Sequence, residues 1–223
     1  MMSLDRPQGL YAIVDADALR DSGMPLAGVI EAVAAAKPAF LQLRAKSATP
    51  RQILVWLRDS RAACRRAGVP LILNDRPDLA VLADCDGVHV GQNDVSVTEV
   101  RRFAKSLLVG VSTHDDEQLS AALDEKPDYV AFGPVFPTTS KVDPDPVVGL
   151  DGLRRAASRC APLSIPLVAI GGIDLERAPQ VAATGALGAV IGALGVGLRS
   201  IDEVYERACR LHAALTQPEA GRT

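Results

Sequence analysis

Short apolar runs recur along the chain, separated by longer stretches in which apolar residues return every three or four positions. The runs lie at Leu10–Val14, Phe40–Leu43, Pro70–Leu73, Gly87–Val90, Leu107–Val111, Tyr129–Phe132, Pro166–Ile170 and Ala189–Ile191. The stretches with helical periodicity are Pro50–Ala67, Val97–Ala104, Asp115–Leu123, Leu150–Ser158, Leu175–Thr184 and Ile201–Leu215. Continuous apolar runs are typical of parallel strands buried on both faces. The pattern therefore predicts eight parallel strands connected by helices.

Strands that alternate with helices, joined by right-handed crossovers, favour the α/β class and a single (β/α)8 barrel, the TIM barrel. An open doubly wound sheet is the structural alternative. Its Gly-x-Gly-x-x-Gly fingerprint is missing after the first strand, where the chain reads Val14-Asp15-Ala16-Asp17. We expect residues 1–215 to form one barrel domain and residues 216–223 to form a disordered tail.

Polar side chains follow several of the predicted strands. Gln42, Arg44 and Lys46 alternate along the end of the second strand, so they share one face. The other strand ends carry Asn74, Asp75, Asp94, Ser112, Thr113, His114, Gly171, Gly172 and Gly192. Active sites of (β/α)8 barrels lie at this carboxyl face, and the loops after strands seven and eight commonly bind phosphate. Two cations and two carboxylates gathered there predict a phosphorylated substrate held together with a metal ion.

The loop after the sixth predicted strand is the longest and extends from Gly133 to Val148. Long loops in compact domains are often functional lids. Hydroxyl groups and a cation are clustered in it at Thr138, Thr139, Ser140 and Lys141. We expect this loop to cover a bound phosphate.

Composition narrows the classes of partner. A net charge of −3 argues against nucleic acid or an anionic membrane as the main partner, because both attract basic surfaces. The uncharged stretch Ala178–Leu198 contains Pro179 and several glycines, so it is predicted to form a helix, a strand and a loop rather than a membrane span. Four scattered cysteines and an amino terminus without an apolar core indicate a cytoplasmic protein with reduced thiols. The oligomeric state stays open.

Six motifs occur in a fixed order along the chain. They are Gln-x-Arg-x-Lys, Asn-Asp-Arg-x-Asp-Leu-Ala, Gly-Val-His-x-Gly-Gln-x-Asp, Gly-Val-Ser-Thr-His, Phe-Gly-Pro-x-Phe-Pro-Thr-x-Ser-Lys and Ala-Ile-Gly-Gly-Ile. Together, from about Leu10 to Ala193, they resemble the thiamine-phosphate synthase family. The resemblance implies the joining of 4-amino-2-methyl-5-(diphosphooxymethyl)pyrimidine to a thiazole phosphate, with release of pyrophosphate.

The same resemblance implies roles for individual residues. The residues that would bind the pyrimidine diphosphate are Gln42, Arg44, Lys46, Asn74, Ser112 and Lys141, with Lys141, Arg44 and Ser112 closest to the chemistry. The Mg²⁺ ligands would be Asp75 and Asp94. The thiazole phosphate would be bound by Thr138, Thr139, Ser140, Gly172, Gly192 and Ala193. The family mechanism is dissociative, so no general base or covalent nucleophile is required.

The chain departs from the family pattern at two places. Ser140 stands where threonine is usual, which keeps the hydroxyl group and removes a methyl group. The family usually has a serine after the eighth strand, where this chain reads Ile191-Gly192-Ala193. Backbone N–H groups there would have to replace the missing side-chain contact with the phosphate.

Several polar residues have structural interpretations. Asp94 on its own is a good candidate for the cap of the helix that starts near Ser96, although beside Asp75 a metal role is favoured. His89, in mid-strand, is expected to be a core histidine with its hydrogen bonds satisfied. Asp15, Asp17 and His114 receive no role from the sequence.

Three other functions are possible for a phosphate-binding barrel, but each agrees less well with the motifs of this chain. A thiazole tautomerase would not need the diphosphate-binding set, and a sugar-phosphate epimerase would need acid and base pairs that the motifs lack. A barrel that only binds a phosphorylated ligand would not need to keep Arg44, Asp75, Asp94 and Lys141 together.

Overall fold

Eight parallel strands close into a barrel in which each strand is hydrogen-bonded to its neighbours in chain order, and β8 pairs with β1. The computed structural model describes residues 7–20, 22–138, 145–190, 194 and 197–216. The strands are β1 (Leu10–Asp15), β2 (Phe40–Arg44), β3 (Leu71–Asn74), β4 (Gly87–Val90), β5 (Leu108–Thr113), β6 (Tyr129–Phe132), β7 (Leu167–Ile170) and β8 (Leu187–Val190). The predicted (β/α)8 barrel is confirmed, and the open sheet is wrong.

Helices connect the strands on the outside of the barrel. They are α1 (Ala16–Arg20), α2 (Leu26–Ala35), α3 (Pro50–Ala67), α4 (Pro77–Leu82), α5 (Val97–Phe103), α6 (Asp116–Asp124), α7 (Gly149–Cys160), α8 (Ala178–Ala182) and α9 (Ile201–Thr216), with a 3-10 turn at Ala161–Leu163. The sequence pattern did not predict α1, α2 or α4. It also made α8 too long, because Asp174 closes a turn by accepting hydrogen bonds from the amides of Glu176 and Arg177.

Two apolar clusters lie on opposite sides of the barrel wall. The inner cluster contains only strand residues and the partly buried residues next to them, with Tyr11, Phe40, Ile72 and Tyr129 among its largest side chains. The outer cluster joins the strands to the surrounding helices and includes Leu41 and Leu43. Phe40 faces inward while Leu41 and Leu43 face the helices, so the alternation predicted for β2 is confirmed.

Local sequence signals set the ends of α3. Thr49 and Gln52 form a reciprocal capping box in front of Pro50, and Gly68 ends the helix with a left-handed φ of 72°. Residues 217–223 lie outside the described part of the chain, so the disordered tail stays a prediction.

Two predictions from composition can be compared with the described residues. All four cysteines, at positions 64, 85, 160 and 209, are free thiols. Among the helices that the structure describes, none combines the length and the apolar character that crossing a membrane requires.

Candidate active site

The carboxyl end of β2 presents Arg44 and Lys46 at the mouth of the barrel. Arg44 lies beside Asp15 in the strand register, and its guanidinium donates a hydrogen bond to the Asp15 carboxylate. Asp15 is buried, with 8% of its surface exposed, and it also accepts the backbone amides of Asp17 and Ala18. A buried carboxylate is thereby paired, and the guanidinium is held at the rim of the barrel.

Lys46, Asp75 and Asp94 come together next to this pair. The Lys46 Nζ atom is 3.3 Å from Asp75 Oδ2. Asp75 follows β3 in a left-handed conformation with φ of 63°, and its amide donates to the His89 carbonyl at 2.8 Å. That turn sends the Asp75 carboxylate towards the fourth strand end, where Asp94 lies.

The carboxylates of Asp75 and Asp94 lie close enough to interact directly. Burial and the negative charge of Asp94 raise the pKa of Asp75 above its ordinary value, against the opposing charge of Lys46. Two carboxylates in contact at a site that faces solvent form a favourable place for a cation. The donor set fits Mg²⁺, which typically takes one or two carboxylates and completes its shell with water and substrate oxygens.

The structure corrects one interpretation of Asp94. The cap of α5 is Ser96, which forms a capping box with Glu99. The Asp94 carboxylate instead accepts the Gly91 amide at 2.7 Å. In the part of the chain that the structure describes, no group of three or more His, Cys, Asp or Glu side chains is arranged around a metal position. Among the described residues, a metal bound here would therefore find two carboxylates, and water and substrate oxygens would complete its shell.

Gln42 and Ser112 are both connected to polar groups inside the barrel. Gln42 is 2% exposed, and its Nε2 atom donates to Tyr11 Oη at 3.1 Å. Ser112 Oγ lies 2.8 Å from His89 Nε2. The expectation of a core histidine is confirmed, because His89 is buried with both ring nitrogens hydrogen-bonded. Burial lowers the pKa of His89 to about 4. Asn74 ends β3 beside His89 in the register.

The loops after β6 and β7 pack tightly against each other. The Val135 amide donates to Ile170 O at 2.8 Å, and the Phe136 amide donates to Gly171 O at 3.1 Å. Gly172 has φ of 63°, and a Cβ atom there would lie 2.8 Å from the Cβ of Phe136. Close packing thus requires glycine at position 172 whether or not a phosphate binds there.

Arg177 contacts both of these loops, and the sequence motifs did not predict this role. Its Nη1 atom donates to Gly172 O at 2.8 Å, and its guanidinium lies over the Phe136 ring, 5.1 Å from the centroid.

Thr138, the next hydroxyl along the loop, is partly buried and has a partner. The remaining predicted contacts with substrate lie outside the described residues: Thr139, Ser140, Lys141, Gly192 and Ala193. Their roles stay predictions.

Asp17 and His114 acquire structural roles. The Asp17 carboxylate accepts the amides of Lys46 and Ser47 at 2.8 and 3.1 Å. Burial acts to raise its pKa, but these hydrogen bonds and the Ser47 hydroxyl outweigh burial and lower it. The His114 ring lies 2.7 Å from Gly133 O and 3.5 Å from Asp145, so it contacts both ends of the loop after β6.

Comparisons with known proteins identify the family to which the chain belongs. A model of the family described as thiamine monophosphate synthase matches residues 10–194. The chain belongs to this family. It is 41% identical over 214 residues to the thiamine-phosphate synthase of Chloroflexus aurantiacus, covering 95% of each chain. The thiamine-phosphate synthase of Methanocella arvoryzae is 44% identical over 179 residues, which cover 79% of this chain and 81% of the relative.

A solved structure extends the likeness to the fold. The thiamine phosphate pyrophosphorylase of Pyrococcus furiosus superposes with a TM-score of 0.80 at 30% sequence identity, and the match covers 95% of this chain and 97% of that one. The sequence comparisons and the structural comparison therefore agree on the family, and the structural match also supports the barrel fold.

Proposed function

We infer that the chain catalyses the thiamine-phosphate synthase reaction, in which a pyrimidine diphosphate is joined to a thiazole phosphate and pyrophosphate is released. Membership of the thiamine monophosphate synthase family carries this conclusion. The polar groups at the barrel mouth support it, because cations and paired carboxylates suit a diphosphate that departs together with a divalent ion.

Arg44 and Lys46 are the proposed diphosphate ligands from β2. Arg44 presents a planar fork whose Nη1 atom is occupied by Asp15, so its other N–H groups are available to phosphate oxygens. Lys46 acts as a mobile point charge, and its side chain is 57% exposed beside Asp75. Neutral contacts would come from Gln42, Asn74 and Ser112, which belong to β2, β3 and β5. Lys141 is proposed as a further cation on the leaving group.

Asp75 and Asp94 are the proposed Mg²⁺ ligands. When bound, the ion would neutralise charge on the leaving pyrophosphate as a Lewis acid. The raised pKa of Asp75 supports this role, since two carboxylates in contact are unfavourable until a cation joins them. Lys46 partly offsets the repulsion in the absence of the ion.

The thiazole phosphate is proposed to bind at the loops after β6, β7 and β8. Gly172 is fixed there by Arg177 and by the packing of Phe136. Thr138 provides a hydroxyl group on the facing loop. Thr139, Ser140, Gly192 and Ala193 complete the set that the family pattern implies.

The bond-breaking step is proposed to be dissociative. The carbon–oxygen bond to the diphosphate breaks first, the electron pair leaves with pyrophosphate, and the thiazole nitrogen captures the pyrimidinylmethyl cation. The protein would then mainly stabilise growing negative charge on the leaving group, which Arg44, Lys46 and Lys141 can do. His89 takes no part as a base in this scheme.

Incubation with both substrates and Mg²⁺, with detection of thiamine phosphate, tests the function. Product should form only when both substrates are present. Separate incubations with the thiazole phosphate alone would detect an isomerase, which changes that substrate without the pyrimidine. Absence of thiamine phosphate from the complete mixture, in a folded preparation, would contradict the proposed function.

A further inference from the structure

A line of hydrogen bonds crosses the barrel interior from Gln42 to Ser112. Gln42 Nε2 donates to Tyr11 Oη at 3.1 Å, and Tyr11 Oη lies 2.7 Å from Tyr129 Oη. Tyr129 Oη is 3.1 Å from His89 Nδ1, and His89 Nε2 is 2.8 Å from Ser112 Oγ. Both ends of the line are residues proposed to contact the pyrimidine diphosphate.

Close packing inside the barrel restricts the side chains that form this line of hydrogen bonds. The Tyr11 and Tyr129 rings pack with centroids 5.6 Å apart, and the Tyr129 and His89 rings stack at the same distance. Gly110 makes room for Tyr129, because a Cβ atom at position 110 would overlap the tyrosine ring. Each hydroxyl or ring nitrogen therefore has to find its partner within the line.

The donor at one end determines the direction of every bond after it. The Gln42 amide nitrogen can only donate, so Tyr11 Oη accepts from it. The Tyr11 hydrogen then has one remaining partner among the described residues, Tyr129 Oη. The Tyr129 hydrogen must in turn point to His89 Nδ1, which therefore carries no proton.

The opposite direction leaves a buried hydrogen without a partner. If His89 Nδ1 carried a proton, it would donate to Tyr129, and the Tyr129 hydrogen would point to Tyr11. Tyr11 would then accept from both Gln42 and Tyr129, and its own buried hydrogen would have no acceptor. An unsatisfied buried donor loses its hydration without any compensating bond, which disfavours this arrangement and also the doubly protonated ring.

We propose that Tyr11 and Tyr129 hold His89 in the neutral tautomer with the proton on Nε2, and that His89 thereby orients Ser112 as a hydrogen-bond donor to the diphosphate. A serine hydroxyl can donate or accept, whereas phosphate oxygens only accept. Once Ser112 Oγ accepts from His89 Nε2, its own hydrogen is free to point into the barrel mouth. His89, Tyr129 and Tyr11 are thus positioning residues.

The part of this inference that concerns the diphosphate rests on the proposed function, whereas the tautomer of His89 does not. The tautomer can be measured in the wild-type protein by long-range ¹H–¹⁵N correlation spectra of its imidazole rings. The chain contains three histidines, and a His89→Gln variant identifies the signals of His89 by their loss. We expect a protonated Nε2 and an unprotonated, hydrogen-bonded Nδ1. A proton on Nδ1 would overturn the proposal.

A double-mutant cycle tests the effect on Ser112. Tyr129→Phe removes the donor to His89 Nδ1, and we expect kcat/KM for the pyrimidine diphosphate to fall about 10-fold, a size typical for loss of a group that orients a ligand. In a Ser112→Ala background the same substitution should change kcat/KM by less than about twofold, because the residue through which it acts is gone.

Tyr205→Phe on the outer surface of α9 is the matched control and should leave kcat/KM unchanged. An equal loss from Tyr129→Phe with and without Ser112 would mean that Tyr129 acts only on the packing of the barrel, and would overturn the coupling. If the wild-type protein makes no thiamine phosphate, the proposed function fails while the spectrum still decides the tautomer.

Discussion

Asp75 is the residue at which the proposed function and stability are most directly opposed. Its carboxylate contacts Asp94, and its pKa is raised by burial and by that neighbour. An acid with a raised pKa stabilises the folded state while it is protonated, at low pH, and this contribution is lost as pH rises through the folded pKa. Without a cation, Asp75 therefore costs stability once it is ionised.

Asp75→Asn should raise the melting temperature while it lowers activity. Asparagine tolerates the left-handed φ at this position and removes the repulsion from Asp94. Without divalent ions at neutral pH, we expect a rise of about 2 °C, which corresponds to roughly 1 kcal/mol in a chain of this length. Turnover in saturating Mg²⁺ should fall by about 100-fold or more, by analogy with loss of an electrostatic group at a reacting centre. Thermal melts and steady-state rates provide the two measurements.

Asp84→Asn is the matched control for this substitution. Asp84 also has a left-handed φ, of 58°, but it lies before β4 at the opposite end of the barrel and pairs with Arg61. Its replacement should leave turnover within about twofold of wild type, as expected for an exposed ion pair. A lower melting temperature for Asp75→Asn would contradict the assignment of repulsion to the Asp75–Asp94 pair.

At the scale of elements, the turn from β1 into α1 holds the end of β2. Asp15 pairs with the Arg44 side chain, and Asp17 accepts the Lys46 and Ser47 amides. One short segment therefore fixes the positions of both cations that β2 brings to the site. The neighbouring strands β1 and β2 make this contact possible because their carboxyl ends meet at the same rim.

Asp17→Ala should loosen the segment after β2 without unfolding the barrel. We expect faster amide hydrogen exchange at Lys46 and Ser47, since both amides lose their acceptor. The KM for the pyrimidine diphosphate should rise about tenfold, because hydrogen bonds to a charged group are worth roughly 1.5–3 kcal/mol. Arg20→Ala removes only exposed contacts to Asp17 and Ser47 and is the control, with an expected change below twofold. Unchanged amide exchange at Lys46 would contradict the proposal that Asp17 holds the segment after β2.

The sequence predicted the strands well because buried parallel strands appear as continuous apolar runs. It missed α2 because Leu26–Ala35 is apolar on most faces and contains Glu31 as its one charged residue. It missed α1 and α4 because helices of five and six residues are too short to display periodicity. The pair of Asp75 and Asp94 followed from strand order, whereas the contact of Asp15 with Arg44 depends on side-chain conformation, which a single sequence does not specify.

At the scale of the whole molecule, the barrel keeps two environments close together. The interior is packed with aromatic rings whose polar atoms are all hydrogen-bonded, and among the described residues no buried side-chain nitrogen or oxygen lacks a partner. The mouth carries charged groups that stay partly exposed, such as Lys46 and Asp75. A packed interior with satisfied hydrogen bonds, beneath a charged rim, fits a reaction in which charge develops on a leaving group.

The central claim is that the rim around Asp75 and Asp94 performs a cation-dependent release of pyrophosphate. Rapid-quench single turnover, with enzyme in excess over the pyrimidine diphosphate and with thiazole phosphate and Mg²⁺ present, tests it most directly. Thiamine phosphate and pyrophosphate should appear in equal amounts, stop appearing in excess chelator and return when Mg²⁺ is restored. A folded Asp75→Asn/Asp94→Asn double variant should be slower by about 100-fold or more at saturating substrate. Equal rates in chelator, or in the double variant, would contradict the account.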